Sequence, residues 1–348
     1  MLSKEPAEKM CSRSTGLDQE KVFSHKKLLS EASNEERSTT NSTIKKGIWY
    51  WNRASPPETR NSKLTMMLID THAHLDFPEF TEDLEDVLLR AKRAGLERII
   101  TIGINLKSSR KAIQFAERYP EIYASVGIHP NSASQEREDF LSELEELVKH
   151  PKVVAIGGTG LDYSRLASKQ ENAEISQTTF GAADFHTMET EIRDEAEMAA
   201  QSAAFEQHLE LAAAGGKSIV IHQRDSWEDT IELLQKYSPR VRAVVHGFDA
   251  GPEQAQELVD LGHFVSFSGN VTFMNATEVR EAAKSVSIDR IMVETDAPYF
   301  TPVPNLNRRC EPAFVSDTAA FIATLRGMSL AEFAERTTRN AQRFFGLS

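Results

Sequence analysis

Short apolar runs recur along the chain from Met67 onward, and stretches with a helical period separate most of them. The runs place apolar residues, many of them β-branched, at consecutive positions, which is typical of strands buried on both faces of a parallel sheet. Eight runs of this kind predict strands at residues 67–70, 98–103, 122–127, 153–157, 218–222, 243–246, 263–268 and 290–294.

Amphipathic spacing between the runs predicts helices. Leu84, Val87, Leu88 and Ala91 recur at intervals of three and four residues and so share one face of a helix at 83–94. The same spacing predicts helices at 140–148, 229–234, 252–261 and 277–283. Eight strands alternating with helices over about 280 residues predict an α/β fold, a (β/α)8 TIM-type barrel. A doubly wound open sheet is the alternative, although no glycine-rich dinucleotide turn follows the first strand.

Two segments depart from this rhythm. Residues 1–66 are rich in Ser, Thr, Asn, Lys and Glu, so we expect a disordered or non-core extension before a domain at 67–348. An arm that binds a partner through the aromatic cluster at 48–51 is the alternative. Residues 164–196 are rich in Gln, Glu, Thr and Ala and predict an insert, either a lid or a disordered loop, before a helix that starts near Glu197.

Charge and cysteine content exclude several classes of protein. The net charge of −12 gives no global basic field, so any attraction for phosphate must be local. Cys11 and Cys310 form neither a CxxC motif nor a pairing pattern, which fits a reducing compartment. Because no apolar run reaches the length of a membrane span and no signal core is present, we expect a cytoplasmic protein without a membrane partner.

Polar residues with metal-binding chemistry follow the predicted strands. His72 and His74 are one residue apart, so in an extended chain their side chains point to the same face. Further histidines follow later strands, and together the strand-end residues are His72, His74, His129, His222, His246 and Asp296. The carboxyl ends of barrel strands meet on one face, where buried imidazoles and a carboxylate can satisfy one another through a metal ion. The sequence therefore predicts a divalent metal site.

These residues lie within a longer ordered series of motifs. The series is Asp70-Thr-His72-Ala-His74-Leu75, Gly127-Ile-His129-Pro130, Gly160-Leu-Asp162-Tyr163, Ile221-His222-Gln-Arg224, His246-Gly-Phe248, Phe267-Ser-Gly269, Glu294-Thr-Asp296-Ala-Pro298-Tyr299, Arg309-Cys-Glu311-Pro312 and Thr338-Arg-Asn340-Ala-Gln-Arg-Phe344-Phe345. Over about residues 67–347 the sequence closely resembles the TatD family of metal-dependent deoxyribonucleases, which are amidohydrolase-like barrels.

The resemblance implies a role for each strand-end residue. It implies that His72, His74 and Asp296 hold one metal ion, while His222 and His246 hold a second. Asp296 would also be the catalytic residue that orients or deprotonates the attacking water, and His129 and Arg224 would contact substrate phosphate. The expected cofactors are one or two Mg²⁺, Mn²⁺ or Zn²⁺ ions, and the expected substrate is DNA, cut from the 3' ends of single strands. We expect a monomer.

One position departs from the family pattern. Most relatives carry a glutamate between the paired glycines of strand four that bridges both metal ions, whereas this chain has Gly158. Gly247 and Asp249 also depart from the usual His-Cys-Phe-Ser-Gly run. Three arrangements stay open: two ions bridged by water or substrate, one ion held by His72, His74, His222 and Asp296 with His246 as acid or base, or a carboxylate supplied by Glu171, Glu174 or Asp184 of the insert.

Other functions are compatible with the same barrel. A one-metal deaminase, amidase or lactonase is the first alternative, and a catalytically weakened binding protein is the second. We expect Asp76, Asp162 and Glu294 to cap loops or orient ligands rather than to bind metal. The acidic insert would repel a polyanion, which argues against long duplex DNA as the substrate.

Overall fold

The computed structural model describes residues 67–137, 139–170 and 183–347, so the expectations for residues 1–66 lie outside the described residues. Eight parallel strands form one sheet in which each strand pairs with the next along the chain. They are β1 (Leu68–Ala73), β2 (Leu96–Ile102), β3 (Ile122–Val126), β4 (Val153–Asp162), β5 (Ser218–Arg224), β6 (Ala243–Val245), β7 (Phe264–Phe267) and β8 (Ile291–Val293).

The first and last strands meet at a seam, which we call the β1–β8 seam. An isolated parallel bridge joins Ala73 to Ala297. The backbone N–H of His74 donates to the Ala297 carbonyl at 2.8 Å, and the N–H of Asp296 donates to the His72 carbonyl at 2.9 Å. The predicted (β/α)8 barrel is therefore confirmed, and the open doubly wound sheet is not formed.

Nine α-helices have both ends within the residues that the structure describes. They are α1 (Leu84–Arg93), α2 (Leu106–Arg118), α3 (Phe140–Val148), α4 (Ala183–Gly215), α5 (Trp227–Tyr237), α6 (Pro252–Asp260), α7 (Thr277–Ser285), α8 (Val315–Leu325) and α9 (Leu330–Phe345). The five helices predicted from amphipathic spacing are present as α1, α3, α5, α6 and α7. Helices α2, α8 and α9 were not predicted. No described helix is both long enough and apolar enough to cross a membrane.

Helix α4 corrects the prediction for the insert. It begins at Ala183 rather than near Glu197, so the expected loop at 164–196 is wrong from Ala183 onward. The carboxylate of Asp194 accepts the backbone N–H groups of Ala167 at 2.6 Å and Ser168 at 3.2 Å. These bonds attach the helix to the chain that leaves β4. Ala, Glu and Met, which make up much of residues 183–198, have high helix propensity and so favour a helix here without a regular apolar period.

The amino end of the barrel is closed by apolar side chains. Inside the barrel the strands contribute residues such as Ile100, Val220 and Met292, and α9 packs Phe344 and Phe345 beneath them. We call the aromatic group formed by Phe264, Phe344 and Phe345 the barrel floor. Its rings meet edge to face at centroid distances of 5.3 and 4.8 Å. Burial of this surface is the main favourable term that holds α9 against the barrel.

Candidate metal centre

The end of β1 brings the two predicted histidines side by side. His72 and His74 are buried, and their Nε2 atoms lie 3.3 Å apart. Asp70, two residues earlier, accepts the backbone N–H of His72 at 3.3 Å and the N–H and hydroxyl of Thr295 at 2.9 and 2.6 Å. Burial raises the pKa of Asp70 to about 8, although the hydrogen bonds from Thr295 oppose this. Asp70 was not predicted as a site residue, and it fixes β1 to the turn after β8.

Asp296 completes a compact group with these histidines. Its backbone has a positive φ of 54°, and its Oδ1 lies 3.2 Å from Nε2 of His74 and 3.5 Å from Nε2 of His72. Three ligands at 2.0–2.1 Å from a tetrahedral ion would be separated by about 3.3–3.4 Å. The three atoms therefore have the spacing of one face of a metal coordination sphere. We call His72, His74 and Asp296 the triad.

Asp296 Oδ1 also indicates that the triad fits an ion. This atom is buried, lies within 3.5 Å of two imidazole nitrogens, and has no hydrogen-bond partner. Buried polar atoms in folded proteins almost always have a partner. A divalent cation at the triad would supply that partner.

His222 and His246 form a second group, the histidine pair. Nδ1 of His222 lies 3.2 Å from Nε2 of His246. The opposite nitrogens face carboxylates: His222 Nε2 lies 3.2 Å from Asp162 Oδ2, and His246 Nδ1 lies 3.4 Å from Glu294 Oε1. This arrangement fixes the orientation of both rings, as expected of carboxylates that orient ligands. Glu294, which we expected to cap a loop or orient a ligand, contacts His246 and accepts the Gly247 N–H at 2.5 Å.

The two groups are in contact. The rings of His72 and His246 stack at a centroid distance of 3.7 Å. One ligand atom each of His72, His246 and Asp296 lie within 4.8 Å of one another. His246 therefore belongs to the pair by its hydrogen-bonding geometry and is also within reach of an ion at the triad.

Burial determines the charge on most of these histidines. It lowers the pKa of His72 well below the ordinary range, and the neighbouring histidines lower it further. It also lowers the pKa of His222, although Asp162 opposes this. Burial disfavours the charged form of His246 as well, but the carboxylates of Glu294, Asp296 and Asp249 together outweigh that effect and raise the pKa. The rings of His72 and His222 are therefore neutral near neutral pH, so each has one nitrogen without a proton that can bind a metal ion.

Asp162 keeps its charge despite being buried. Burial favours the neutral acid, but the hydrogen bonds from His222 and Ser164 outweigh it and hold the pKa well below the usual range. Gln201 of α4 accepts the backbone N–H of Asp162 at 2.8 Å. The end of β4 thus presents a fixed negative charge to the outer side of the histidine pair.

The two residues expected to contact substrate differ in position. The ring of His129 lies 4.4 Å from that of His222, and its Nδ1 accepts the N–H of Asn131 at 3.2 Å. Arg224 is exposed at the last position of β5, and within the described residues no hydrogen bond or ion pair joins its guanidinium to the triad or the pair. The structure therefore brings His129 to the cluster and leaves Arg224 at its margin.

A histidine that sequence reasoning missed supports His129. His208 of α4 is fully buried, and its Nε2 accepts the backbone N–H of Ile128 at 3.0 Å. Its Nδ1 lies 2.6 Å from the carbonyl of Ala204, so the neutral ring donates there. His208 connects α4 to the loop that carries His129. A single histidine on a helix gives no pattern that could have revealed this contact.

Gly158 lies on β4 and has no side-chain oxygen to offer the cluster. Apart from its chain neighbours, a Cβ at this position would meet a single described heavy atom within 4 Å, Cγ2 of Ile102 at 3.2 Å. Ile102 belongs to the barrel interior, so a side chain at 158 would point there. The proposed substitutes Glu171 and Glu174 lie outside the described residues, as does the side chain of Asp184.

Gly247 has a local explanation for its departure from the family pattern. Its φ is +55°, a left-handed conformation that glycine adopts without the penalty of a Cβ. This conformation accompanies the hydrogen bond from its N–H to Glu294. The residue therefore helps to hold the carboxylate that faces His246.

A parallel eight-stranded barrel with buried histidines and an aspartate at the carboxyl ends of its strands defines a barrel-type metal-dependent hydrolase. Residues 69–346 match the family model described as TatD related DNase. The chain belongs to the TatD family, as the motifs predicted.

Relatives agree with this assignment. The uncharacterized metal-dependent hydrolase YabD of Bacillus subtilis is 35% identical over 283 residues, which cover 81% of this chain and 100% of that protein. A 3'-5' ssDNA/RNA exonuclease TatD of Escherichia fergusonii is 31% identical over 288 residues, with 81% and 100% covered. The crystal structure of YjjV, a TatD homologue from Escherichia coli K12, has 26% identity and a TM-score of 0.69, and 81% of this chain and 98% of that chain are covered. The protein is thus a metal-dependent hydrolase that acts on ester bonds.

Proposed function

We propose that this hydrolase is a 3'–5' exodeoxyribonuclease that removes nucleotides from the ends of single-stranded DNA. The observation that carries the proposal is the triad, whose partner-free Asp296 Oδ1 faces two imidazole nitrogens at the carboxyl end of the barrel. The name of the Escherichia fergusonii relative supports the choice of substrate.

In this proposal Mg²⁺, Mn²⁺ or Zn²⁺ is held by His72, His74 and Asp296. A bound divalent ion supplies Lewis acidity, which lowers the pKa of a water ligand from about 15.7 to about 7 and neutralises charge on a phosphoryl oxygen. Asp296 orients the attacking water and accepts its proton, because a carboxylate beside the nucleophile can act as a general base.

The neighbouring histidines handle the phosphate and the leaving group. His246, beside the Glu294 carboxylate, can hold a proton and donate it to the leaving oxygen. His129 lies against His222 and contacts a non-bridging phosphate oxygen. Arg224, exposed at the end of β5, receives the next phosphate of the strand, where an Arg can bind it through two hydrogen bonds.

An aromatic surface beside the triad suits an unpaired base. Phe77 stacks on the ring of His74 at 4.7 Å and meets Tyr299 edge to face at 6.1 Å. Tyr299 is 50% exposed. Bases of single strands stack on such rings with little sequence preference, at about 1–3 kcal/mol per base. Since the protein is strongly acidic overall, local contacts of this kind have to provide the affinity for the substrate.

The test uses chelator-stripped protein reloaded separately with Mg²⁺, Mn²⁺ or Zn²⁺. We expect single-stranded DNA labelled at its 5' end to shorten one nucleotide at a time, while the same strand in a blunt duplex is cut slowly. The double variant His72→Ala with Asp296→Ala removes two of the three triad ligands and should lose this activity. Unchanged cleavage by the double variant would overturn the assignment.

A one-metal amidase, deaminase or lactonase is the second candidate. It is favoured by the number of carboxylates, because Asp296 is the one carboxylate within the described residues that faces the inner nitrogens of the histidines. Turnover of amide or lactone substrates by the reloaded protein, without cleavage of DNA, would support it. The cytoplasmic location and the monomeric state stay predictions.

A further inference from the structure

We infer that this centre holds one tightly bound divalent ion, at the triad, and that the histidine pair is not a second ion site. The inference rests on the proposed metal dependence but not on the identity of the substrate. Of the arrangements that the sequence left open, it favours the one-ion centre, but without His222 as a ligand.

The triad has both the geometry and the charge of an ion site. Its three ligand atoms are 3.2–3.5 Å apart, and one of them is a carboxylate oxygen. His246 lies close enough to serve the same ion, since its ligand atom falls within 4.8 Å of those of His72 and Asp296. If His246 binds the ion held by the triad, only His222 of the histidine pair is left to bind a second ion.

The pair has its carboxylates on the wrong side for a second ion. Asp162 contacts Nε2 of His222 and Glu294 faces Nδ1 of His246, whereas the nitrogens that face each other are His222 Nδ1 and His246 Nε2. Both carboxylates therefore orient the rings and do not reach the space between them. Two imidazoles without an anionic ligand are a weak site for a hard divalent cation.

Position 158 of β4 supplies no side-chain ligand. Gly158 has no side chain, and the interior beside it contains Cγ2 of Ile102. Two divalent ions would place four positive charges beside one carboxylate that can bind them directly, Asp296, because Asp162 and Glu294 contact the outer nitrogens of the histidine pair. Because His72, His74, His246 and Asp296 are buried, solvent would screen this repulsion poorly. One divalent ion beside Asp296 leaves a net charge of about +1, which a hydroxide or a phosphate oxygen can balance.

The experiment counts ions in the absence of substrate. Full-length protein is stripped with chelator, reloaded with Mn²⁺ and desalted, and bound manganese is measured by elemental analysis and by electron paramagnetic resonance. We expect one ion per chain and the spectrum of an isolated Mn²⁺. Gly158→Glu adds a carboxylate in the barrel interior and should bind two ions with an exchange-coupled spectrum, while the neutral control Gly158→Gln should bind one.

A second pair of variants keeps the test decisive if the glutamate variant does not fold. His222→Ala should retain one ion per chain, and His74→Ala should lose it. Two exchange-coupled ions in the unmodified protein, or loss of the ion in His222→Ala, would overturn the inference. A protein that binds one Mn²⁺ but does not cut DNA would overturn the proposed function and leave this inference standing.

Discussion

The two ends of the barrel are built from the same eight strands but differ in the atoms that they bury. At the amino end the barrel floor packs Phe264, Phe344 and Phe345 edge to face, with 1–5% of each side chain exposed. At the carboxyl end the triad buries polar atoms, and Asp296 Oδ1 has no partner. The floor therefore contributes stability, while the triad holds groups in an arrangement that becomes favourable when a ligand binds.

The largest expected effect concerns the triad. Asp296→Asn removes the anionic ligand and the proton acceptor, so the rate of DNA cleavage should fall by about a thousandfold or more, equivalent to about 4 kcal/mol of barrier. The metal-free variant should be as stable as the unmodified protein or slightly more so, because a buried charge without a partner is removed. Cleavage rates and urea unfolding in chelator measure the two effects. A marked loss of metal-free stability would contradict the comparison.

Substitution in the barrel floor should lower stability without changing metal binding, the opposite of the effect expected at the triad. Phe344→Ala leaves a cavity where the ring packs against Phe264 and Phe345, which should lower the free energy of unfolding by about 3–5 kcal/mol. Manganese content at a temperature where the variant is folded should not change. Phe344→Leu is the control, with an expected loss below about 1.5 kcal/mol. Loss of metal from the folded alanine variant would show that the two ends are coupled.

Two other buried histidines, His208 and His263, extend the comparison of the barrel ends to the pH dependence of stability. Burial lowers the pKa of His208, beneath the carboxyl end, and of His263, near the start of β7, to about 4 for each. These values are below the pKa of about 6.5 in the unfolded chain, so the unfolded chain takes up protons first as the pH falls. The contribution of each histidine to the free energy of unfolding is therefore fully present above pH 6.5 and is lost as the pH falls toward 4, by about 3 kcal/mol per residue.

Unfolding by urea at pH 7.5 and pH 4.5, in chelator, measures this loss. His208→Gln and His263→Gln should each make stability less dependent on pH than in the unmodified protein. Only His208→Gln should also raise the KM for DNA, because His208 holds the backbone of Ile128 beside His129. Equal KM changes in both variants would mean that His208 has no special position relative to the site.

The smallest effect is expected where α9 meets β1. The hydroxyl of Thr338 donates to the carbonyl of Met67 at 2.7 Å. Thr338→Val removes one hydrogen bond and should lower the free energy of unfolding by about 1 kcal/mol, without changing cleavage or metal content. Thr338→Ser keeps the hydroxyl and is the control. A change in metal content would place this contact within the functional end of the barrel.

The sequence predicted the barrel because its strands are consecutive buried apolar residues and its ligands follow those strands. It could not predict the start of α4, since the segment after Ala183 is helical by composition and not by apolar period. Helix α2 was missed although Asn105 caps it, accepting the N–H of Ser108 at 2.8 Å. The contacts of Asp70 and His208 join residues distant in the chain, so local patterns do not contain them.

The position of the triad on the β1–β8 seam has a consequence for folding. His72 and His74 come from the first strand and Asp296 from the chain after the last, so these ligands meet only when the barrel has closed. A bound ion would therefore act as a reversible cross-link between the first strand and the chain that follows the last strand. Hydrogen exchange at the amides of His74 and Asp296 should slow on loading with Mn²⁺, and ion release should follow the opening of the seam.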